Sequence, residues 1–309
     1  MFQLYLKFFT AFFFALISQL LIINDFAFAQ LSDRARWAST LTMDYRMIPN
    51  ITYLKANNVE LKLDVYTLRN PEEPVPTLIY FHGGGWISGI KENILFDLFP
   101  YVEMGWAVVN VQYRLANVSH APAAVEDGLC ALRWVIRQAD KYGFDINKLV
   151  VSGNSAGGHL ALTTGMLTAS GLDSPCPGNE ELKVAAIVNW SGVTDVADLV
   201  EGENIKSYAV EWLGSRTDRM EIAKRVSPLN YLRSDLPPII SIHGDADTLV
   251  PYSQVVQLHQ GLERLKVPNK LITIPNGGHA RFTRDETLYI YENIHKFLDT
   301  HIVNKKLEN

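Results

Sequence analysis

Residues 150–159 constrain the fold of this chain more than any other part of the sequence. They combine a short apolar run with a serine between two glycines, Gly153-x-Ser155-x-Gly157, and lead into a helix-forming stretch. This pattern predicts a strand that turns sharply into a helix and holds one hydroxyl clear of the sheet. The glycines suit such a turn because the serine backbone is strained, and side chains two positions away would collide with neighbouring backbone.

The rest of the chain repeats this alternation of strand and helix. Short, nearly continuous apolar runs predict strands covered on both faces: residues 77–81, 107–111, 149–151, 184–188, 239–242 and 270–274. Apolar residues at three- and four-residue spacing predict helices: residues 121–142, 253–265 and 286–302. The sequence therefore predicts an α/β sandwich built on a mostly parallel, twisted sheet.

The N-terminal part of this fold has a different pattern. Residues 51–55 and 59–66 alternate apolar and polar side chains on either side of Asn57-Asn58, which predicts an antiparallel hairpin. Residues 31–50 form a polar lead-in that we expect Pro49 to end. The sheet should therefore begin with antiparallel strands.

One later segment also departs from the alternation. Residues 195–235 show no strand pattern and contain two helical pieces, near residues 205–213 and 219–226. We interpret this segment as a small helical cap inserted between two strands.

The first 29 residues are typical of an export signal. Lys7 precedes an apolar run over residues 8–23 and then Ala27-Phe28-Ala29, a small-x-small cleavage pattern. We expect cleavage near Ala29, which leaves residues 30–309 as one secreted or periplasmic domain with no stable membrane insertion. The alternative is a retained membrane anchor, because the apolar run approaches the length of a spanning helix.

Export makes a disulfide chemically possible. The chain has two cysteines, Cys130 in a predicted helix and Cys176 in a loop rich in proline and glycine. The sequence leaves open whether the two meet and pair or remain unrelated thiols.

Composition excludes nucleic acid as an expected partner. The formal net charge is −5, the isoelectric point is about 5.9, and the basic residues form no cluster. Histidines and cysteines lack metal-ligand spacing, so no metal is expected. With 309 residues, 48% of them hydrophobic, the chain can bury a large core. The oligomeric state stays open.

A serine at such a turn is reactive only when a base accepts its proton and hydrogen-bond donors stabilise an oxyanion. The donors are predicted in residues 82–86, His-Gly-Gly-Gly-Trp, which follow the strand over residues 77–81. We expect the backbone N–H groups of Gly84, Gly85 and Ala156 to point into one cavity.

A candidate acid and base follow Ser155 in the chain. Asp247 ends the segment His-Gly-Asp-Ala-Asp after the strand over residues 239–242, and His279 follows the strand over residues 270–274. The order of serine, acid and histidine is the one expected for a nucleophile elbow on a sheet of this type.

Together these motifs resemble those of the α/β-hydrolase serine esterases. The chain is similar to hormone-sensitive-lipase-like carboxylesterases, and more closely to the bacterial feruloyl/acetylxylan esterase-like branch, in HGGGW at 82–86 and GxSAGG at 153–158. The resemblance implies an α/β-hydrolase fold and hydrolysis of small-molecule or polysaccharide-linked esters without metal or organic cofactor. Tyr113-Arg114-Leu115-Ala116 continues into Asn117 where many lipase-like members have proline, which weakens the transfer of substrate preference from that branch.

The resemblance also assigns roles to single residues. Ser155 attacks the ester carbonyl, His279 acts as general base, and Asp247 orients the imidazolium. Asp245 then shapes its loop. Asp195, which follows an apolar strand, is the alternative acid.

The remaining histidines and four aromatic residues have weaker assignments. We expect His82 and His243 to brace their loops, and five histidines to be helix or surface residues: His120, His159, His259, His295 and His301. Four aromatic side chains are candidates for an aromatic or sugar-binding pocket, with ordinary packing as the alternative: Trp86, Trp190, Tyr208 and Trp212.

Two other functions remain open at this point. The same triad cleaves amides, so the chain also fits an arylformamidase-like or oligopeptidase-like amide hydrolase, although it has no propeller or large N-terminal domain to sieve peptides. An inactive binding protein with a hydrolase fold is the third hypothesis. Such proteins usually lose a member of the triad, and this chain retains all three.

Overall fold

The computed structural model describes residues 31–168 and 170–303. The chain divides into two compact units, Met1–Asp44 and Tyr45–Asn309. The predicted signal segment, residues 1–29, lies outside the described residues. In the first unit the structure describes one helix, α1 (Asp33–Asp44), none of whose residues is buried.

The second unit is organised on a sheet of eight strands in the described residues, in the order β1-β2-β4-β3-β5-β6-β7-β8. The first two strands are antiparallel to their neighbours and the others run parallel. The strands are β1 Tyr45–Ala56, β2 Val59–Leu68, β3 Val75–Phe81, β4 Ala107–Val111, β5 Phe144–Asn154, β6 Ala186–Trp190, β7 Ile239–Gly244 and β8 Asn269–Ile274. The predicted α/β-hydrolase sheet with antiparallel N-terminal strands is confirmed.

The N-terminal hairpin forms where the sequence predicts it, but β1 is longer than expected. Asn57 and Asn58 make the turn with φ of 49° and 59°, the left-handed region that asparagine tolerates. The prediction that residues 31–50 are a polar lead-in ended by Pro49 is wrong, because β1 begins at Tyr45 and continues through the proline. Pro49 is tolerated because β1 is an edge strand and its register shifts between Ile48 and Ile51.

Helices alternate with the strands along the chain and pack against the sheet. They are α2 Leu95–Glu103, α3 Ala123–Arg137, α4 Ala139–Tyr142, α5 Ala156–Met166, α6 Ser207–Leu213, α7 Arg219–Arg225, α8 Tyr252–Arg264 and α9 Arg284–Leu298. The predicted helix over residues 121–142 is two helices, α3 and α4, and Gly143 ends the second in the left-handed conformation. The α5 helix is buried along its whole length, and so is β4. The core therefore lies directly beneath the turn that carries Ser155.

Residues between β6 and β7 form short helical elements. These are α6, α7 and single 3₁₀ turns at Ala197–Leu199 and Pro228–Tyr231. The 3₁₀ turns are shorter than a sequence period can predict, whereas α6 and α7 lie close to the two predicted helical pieces.

The two cysteines form a disulfide. The Cα atoms of Cys130 and Cys176 lie 5.7 Å apart, and the bond closes a loop of 46 residues. Cys130 is buried in α3 with Leu54 and Leu61 of the N-terminal hairpin. In the chain-entropy account, a loop of this length stabilises the folded state by about 4 kcal/mol. The bridge thus fixes the loop after α5 to the helix α3.

We expect the Cys130→Ser/Cys176→Ser variant to unfold at a temperature about 5–15 °C lower than the wild type, because the unfolded chain regains the entropy of the open loop. Differential scanning calorimetry measures this shift. Reductant should lower the wild-type transition towards that of the variant and leave the variant unchanged. A variant with the wild-type transition temperature would contradict a stabilising role for the bridge.

Candidate active site

Ser155 lies at the sharp turn between β5 and α5. Its φ of 56° and ψ of −120° are unfavourable for a residue with a side chain, which is the strain expected at this turn. Its backbone N–H donates to the carbonyl oxygen of Trp190 at 2.7 Å, so the turn is fixed to the end of β6. The hydroxyl therefore sits above the carboxyl edge of the sheet.

The two glycines beside Ser155 are required by close backbone contacts. A Cβ on Gly157 would lie 2.0 Å from the carbonyl oxygen of Phe81, and a Cβ on Gly153 would lie 2.5 Å from the same atom. Real Cβ atoms do not approach oxygen so closely. Glycine at these positions lets α5 begin directly against the end of β3.

Asp247 and His279 come from loops that follow β7 and β8. These neighbouring strands are parallel, so their carboxyl ends lie at the same edge as Ser155. A Cβ on Gly244 would lie 2.1 Å from the carbonyl oxygen of Gly277. The glycines therefore let the two loops approach each other.

The acid and the base form a direct hydrogen bond. Nδ1 of His279 lies 2.7 Å from Oδ2 of Asp247. The carboxylate side chain is fully buried, whereas the imidazole keeps 16% of its surface exposed. Because an ionised carboxylate only accepts, Nδ1 carries the proton and Nε2 is left as the basic nitrogen.

Asp247 has three further hydrogen-bond donors. Oδ1 accepts from the backbone N–H groups of Leu249 at 2.8 Å and Val250 at 3.0 Å. Nε2 of the buried His243 lies 3.1 Å from Oδ2 and also 3.1 Å from the carbonyl oxygen of Val250. The carboxylate is thus held from four directions.

These donors determine the charge of Asp247. Burial alone would raise the pKa of this carboxyl group, but hydrogen bonds from His243, His279 and the N–H of Val250 outweigh burial and hold the pKa well below its usual range. Asp247 is therefore an anion throughout the neutral range and stabilises positive charge on His279.

Among the hydrogen bonds of the described residues, none joins the Ser155 hydroxyl to His279. Their strands are separated by β6 and β7, and all these strands end at one edge. Catalytic hydrogen bonds of this kind are often long before substrate binds and tighten in the complex. The structure thus brings acid and base into contact and places the serine at the same edge.

The glycine-rich segment after β3 supplies unpaired donors. Gly84 and Gly85 have φ of 124° and 61°, which glycine adopts without strain. In the described backbone their N–H groups donate to no carbonyl oxygen, and both residues are partly exposed. Ala156 is the first residue of α5, so its N–H has no acceptor within the helix.

His82 braces this glycine-rich segment, as the sequence predicts. Its ring is buried and stacks on Tyr113 with 4.3 Å between centroids, and Nδ1 lies 2.7 Å from the carbonyl oxygen of Gly83. The Tyr113 hydroxyl donates to the His82 carbonyl oxygen at 2.9 Å. Burial lowers the pKa of His82, so the imidazole stays neutral.

The four aromatic residues differ in exposure. Trp86 and Trp212 have no exposed surface and stack on each other at 4.1 Å, which is core packing rather than the lining of an open pocket. Trp190 and Tyr208 are partly exposed. A Cβ on Gly85 would lie 2.9 Å from Cβ of Tyr208, so this tyrosine borders the glycine-rich segment.

The other two aspartates considered as the acid, Asp195 and Asp245, accept hydrogen bonds from backbone N–H groups. Oδ1 of Asp195 accepts from the N–H groups of Ala197 and Asp198 at 3.0 and 3.3 Å and begins a 3₁₀ turn. Oδ1 of Asp245 accepts from the N–H of Asn276 at 2.6 Å and shapes the loop next to β8. Among the described residues, Asp247 is the aspartate bonded to His279.

Sequence reasoning missed the partners of two histidines. His243 is expected only to brace its loop, but it also reaches Oδ2 of Asp247. His159 lies on a helix as expected, but it is fully buried and bonded to Trp86. For His243, the spacing of four residues from Asp247 was the available signal. For His159 the contact joins distant segments, and no local pattern marks it.

Residues 31–168 and 170–303 contain no group of His, Cys, Asp and Glu side chains arranged to hold a metal ion. No helix in that part of the chain has the length and apolar character needed to cross a bilayer.

The chain is similar to several esterases. Esterase LipC of Mycobacterium tuberculosis is 30% identical over 230 residues, which make up 71% of this chain and 56% of LipC. The Est2 esterase of Thermogutta terrifontis, solved with propionate bound, is 26% identical with a TM-score of 0.71, over 84% of this chain and 96% of that one. A truncated carbohydrate esterase from gut microbiota has the same fold, with a TM-score of 0.70 and 24% identity over 82% of this chain and 96% of that one.

The chain matches only part of the length of its curated relatives, whereas a single family profile matches well over half of the chain. The chain spans about half the length of the curated relatives it matches, 56% of LipC and 51% of esterase LipQ from the same organism. The BD-FAE family profile matches residues 63–262, which run from β2 through the elbow and Asp247 into α8. With its α/β-hydrolase sheet and this match over well over half of its length, the chain belongs to the BD-FAE family.

Proposed function

We propose that this protein is a carboxylic ester hydrolase that works through Ser155, His279 and Asp247. The observation that carries the proposal is the 2.7 Å hydrogen bond from His279 to the buried Asp247, at the sheet edge where Ser155 stands on its strained turn. This hydrogen bond leaves Nε2 of His279 as the basic nitrogen, at the same edge of the sheet as Ser155. The esterase names of the relatives support the same activity.

In the proposed acylation step, Nε2 of His279 removes the proton from the Ser155 hydroxyl as Oγ attacks the ester carbonyl. The negative charge moves to the carbonyl oxygen, where the N–H groups of Gly84, Gly85 and Ala156 would receive it. Loss of one such donor costs about 3–4 kcal/mol of transition-state stabilisation in comparable sites.

The tetrahedral intermediate formed by this attack then collapses to an acyl-enzyme. The carbonyl forms again, the bond to the alcohol breaks, and His279 returns the proton to the leaving oxygen. Water, activated by the same imidazole, then attacks the acyl group. This step releases the carboxylic acid product and restores the Ser155 hydroxyl. Asp247 remains ionised throughout and stabilises the imidazolium, as its lowered pKa requires.

We further propose that residues 195–235 act as a cap over this site. Two contacts support the idea: Nζ of Lys206 donates to the carbonyl oxygen of Thr248 at 2.9 Å, and the Tyr208 hydroxyl donates to that of Leu249 at 2.9 Å. Both acceptors belong to the loop that carries Asp247. Tyr208 and Trp190 are the two candidate pocket residues with exposed surface for a substrate.

Substrate and location extend the proposal. The resemblance to the feruloyl/acetylxylan branch suggests that the substrates are acetyl or feruloyl esters of plant polysaccharide. Release of acetate or ferulate from xylan, compared with hydrolysis of simple alkyl esters, tests this choice.

The disulfide supports folding in an oxidising compartment, in keeping with an export signal over residues 1–29. A mature N-terminus at Met1 would contradict signal cleavage.

We expect Ser155→Ala to lose at least about a thousandfold in kcat/KM on short-chain p-nitrophenyl esters, because the nucleophilic oxygen is gone. Steady-state kinetics on the purified variant measure the loss. A folded variant that retains the wild-type rate would show that another group performs the reaction.

The three aspartates give a matched test of the acid. Asp247→Asn should lower kcat by about a hundredfold or more, because an amide no longer fixes the tautomer of His279 or stabilises its charge. Asp195→Asn and Asp245→Asn should stay within about tenfold of the wild type. Asp195 accepts from backbone N–H groups and the Ser227 hydroxyl, and Asp245 accepts from the N–H of Asn276, so neither carboxylate acts on His279. A selective collapse of activity in Asp195→Asn would overturn the assignment.

A further inference from the structure

The donors of the proposed oxyanion hole belong to two separate elements. Gly84 and Gly85 lie in the loop after β3, whereas Ala156 begins α5. All donors must lie 2.7–3.1 Å from one oxygen atom, so small changes in the distance between the two elements weaken the hole. Some contact must therefore hold the loop in register with the helix.

A buried hydrogen bond joins these two elements next to the donors. Trp86 follows Gly85 directly, and His159 lies one helical turn after Ala156. The indole N–H of Trp86 donates to Nδ1 of His159 at 3.2 Å, and both side chains are fully buried. The bond thus spans from the loop to the helix within one residue of one donor and three residues of another.

The direction of this hydrogen bond is fixed by a third partner. Nε2 of His159 lies 2.8 Å from the carbonyl oxygen of Val226. A carbonyl oxygen only accepts, so Nε2 carries the proton and Nδ1 is left to accept from the indole. Burial lowers the pKa of His159 to about 4, which keeps the ring neutral and able to accept at neutral pH.

The surroundings hold Trp86 in an uncommon conformation. Its φ is 60°, which is rare for a bulky residue and persists only where neighbouring contacts enforce it. Its carbonyl oxygen accepts from the N–H of Ala116 at 2.9 Å, and its ring stacks on Trp212. His159 meets the Trp86 ring edge-on, with 4.9 Å between centroids.

We propose that His159 is a positioning residue for the oxyanion hole, which by accepting the indole hydrogen bond of Trp86 holds Gly84 and Gly85 in register with Ala156. The inference rests on the proposed ester hydrolysis. His159 does not touch the reacting atoms. Its effect is carried to the reaction through Trp86 and the glycines that precede it.

The test uses variants that break or keep this single bond. Trp86→Phe removes the donor and retains an aromatic ring against Trp212. His159→Leu removes the acceptor, and His159→Asn retains an acceptor oxygen close to the position of Nδ1. The fourth variant combines Trp86→Phe with His159→Leu.

The readouts are kcat and KM for p-nitrophenyl acetate, the inhibition constant of a trifluoromethyl ketone, and the unfolding temperature. Trifluoromethyl ketones add to the nucleophilic serine and place an oxyanion in the hole, so their affinity reports on its donors. Ser155→Ala is included as the baseline for loss of the reaction itself.

We expect each of Trp86→Phe and His159→Leu to lose about 10- to 100-fold in kcat, with KM within about threefold of the wild type. The inhibition constant should rise in parallel with the loss of kcat. The double variant should be no worse than the poorer single variant, because both singles already lack the same bond. His159→Asn should recover at least about fivefold in kcat over His159→Leu.

Several outcomes would overturn the inference. A folded Trp86→Phe variant with kcat and inhibition constant within threefold of the wild type would show that the bond is not needed, and it decides the matter alone if His159→Leu does not fold. If kcat falls in parallel with the unfolding temperature while the inhibition constant does not change, the hydrogen bond between Trp86 and His159 has a packing role only. If the wild type hydrolyses no ester, or Ser155→Ala remains active, the proposed function fails instead.

Discussion

The site depends on how closely the start of α5 approaches the end of β3. Gly157 has no side chain, and a single methyl group there would lie 2.0 Å from the Phe81 carbonyl oxygen. Close packing of this kind cannot be relaxed locally, since α5 is buried along its whole length and β3 is buried from Thr77 to Phe81. The approach brings Ala156 beside the glycine-rich loop that follows β3, and it directs the strained Ser155 outward from the sheet.

A second constraint comes from the buried carboxylate of Asp247. An ionised carboxylate out of water is costly unless every lone pair meets a donor, and here two imidazoles and two backbone N–H groups meet it. The same hydrogen bonds that stabilise the charge also fix the orientation of His279. Contacts from Lys206 and Tyr208 reach the same loop, so the acid is connected to the segment between β6 and β7.

Local patterns in the sequence predicted the parts of the fold that depend on local chemistry. Apolar runs marked the parallel strands, Asn57-Asn58 marked the hairpin, and Gly143 marked a helix end. The motifs also predicted Asp247 and His279 as acid and base, and in the structure their side chains are joined by a hydrogen bond. These features share one property: the residues that cause them lie within a few positions of each other.

Features that depend on distant contacts were not predictable in this way. Pairing of Cys130 with Cys176 requires α3 to meet a loop 46 residues away. Full burial of Trp86 depends on Trp212, which a local pattern cannot reveal. The helix α2 contains Pro100, a residue that normally ends helices, and β1 passes through Pro49 because it lies at an edge.

We infer that Ser155 is the nucleophile and that this fold raises its hydroxyl above the sheet. The most direct measurement is peptide mass spectrometry of the protein after inactivation by a fluorophosphonate, which forms a stable adduct with an activated serine. We expect one adduct per chain, on the peptide that contains Ser155, formed at the same rate at which ester hydrolysis is lost. Loss of activity with the adduct on another residue, or ester hydrolysis that persists in fully labelled protein, would contradict it.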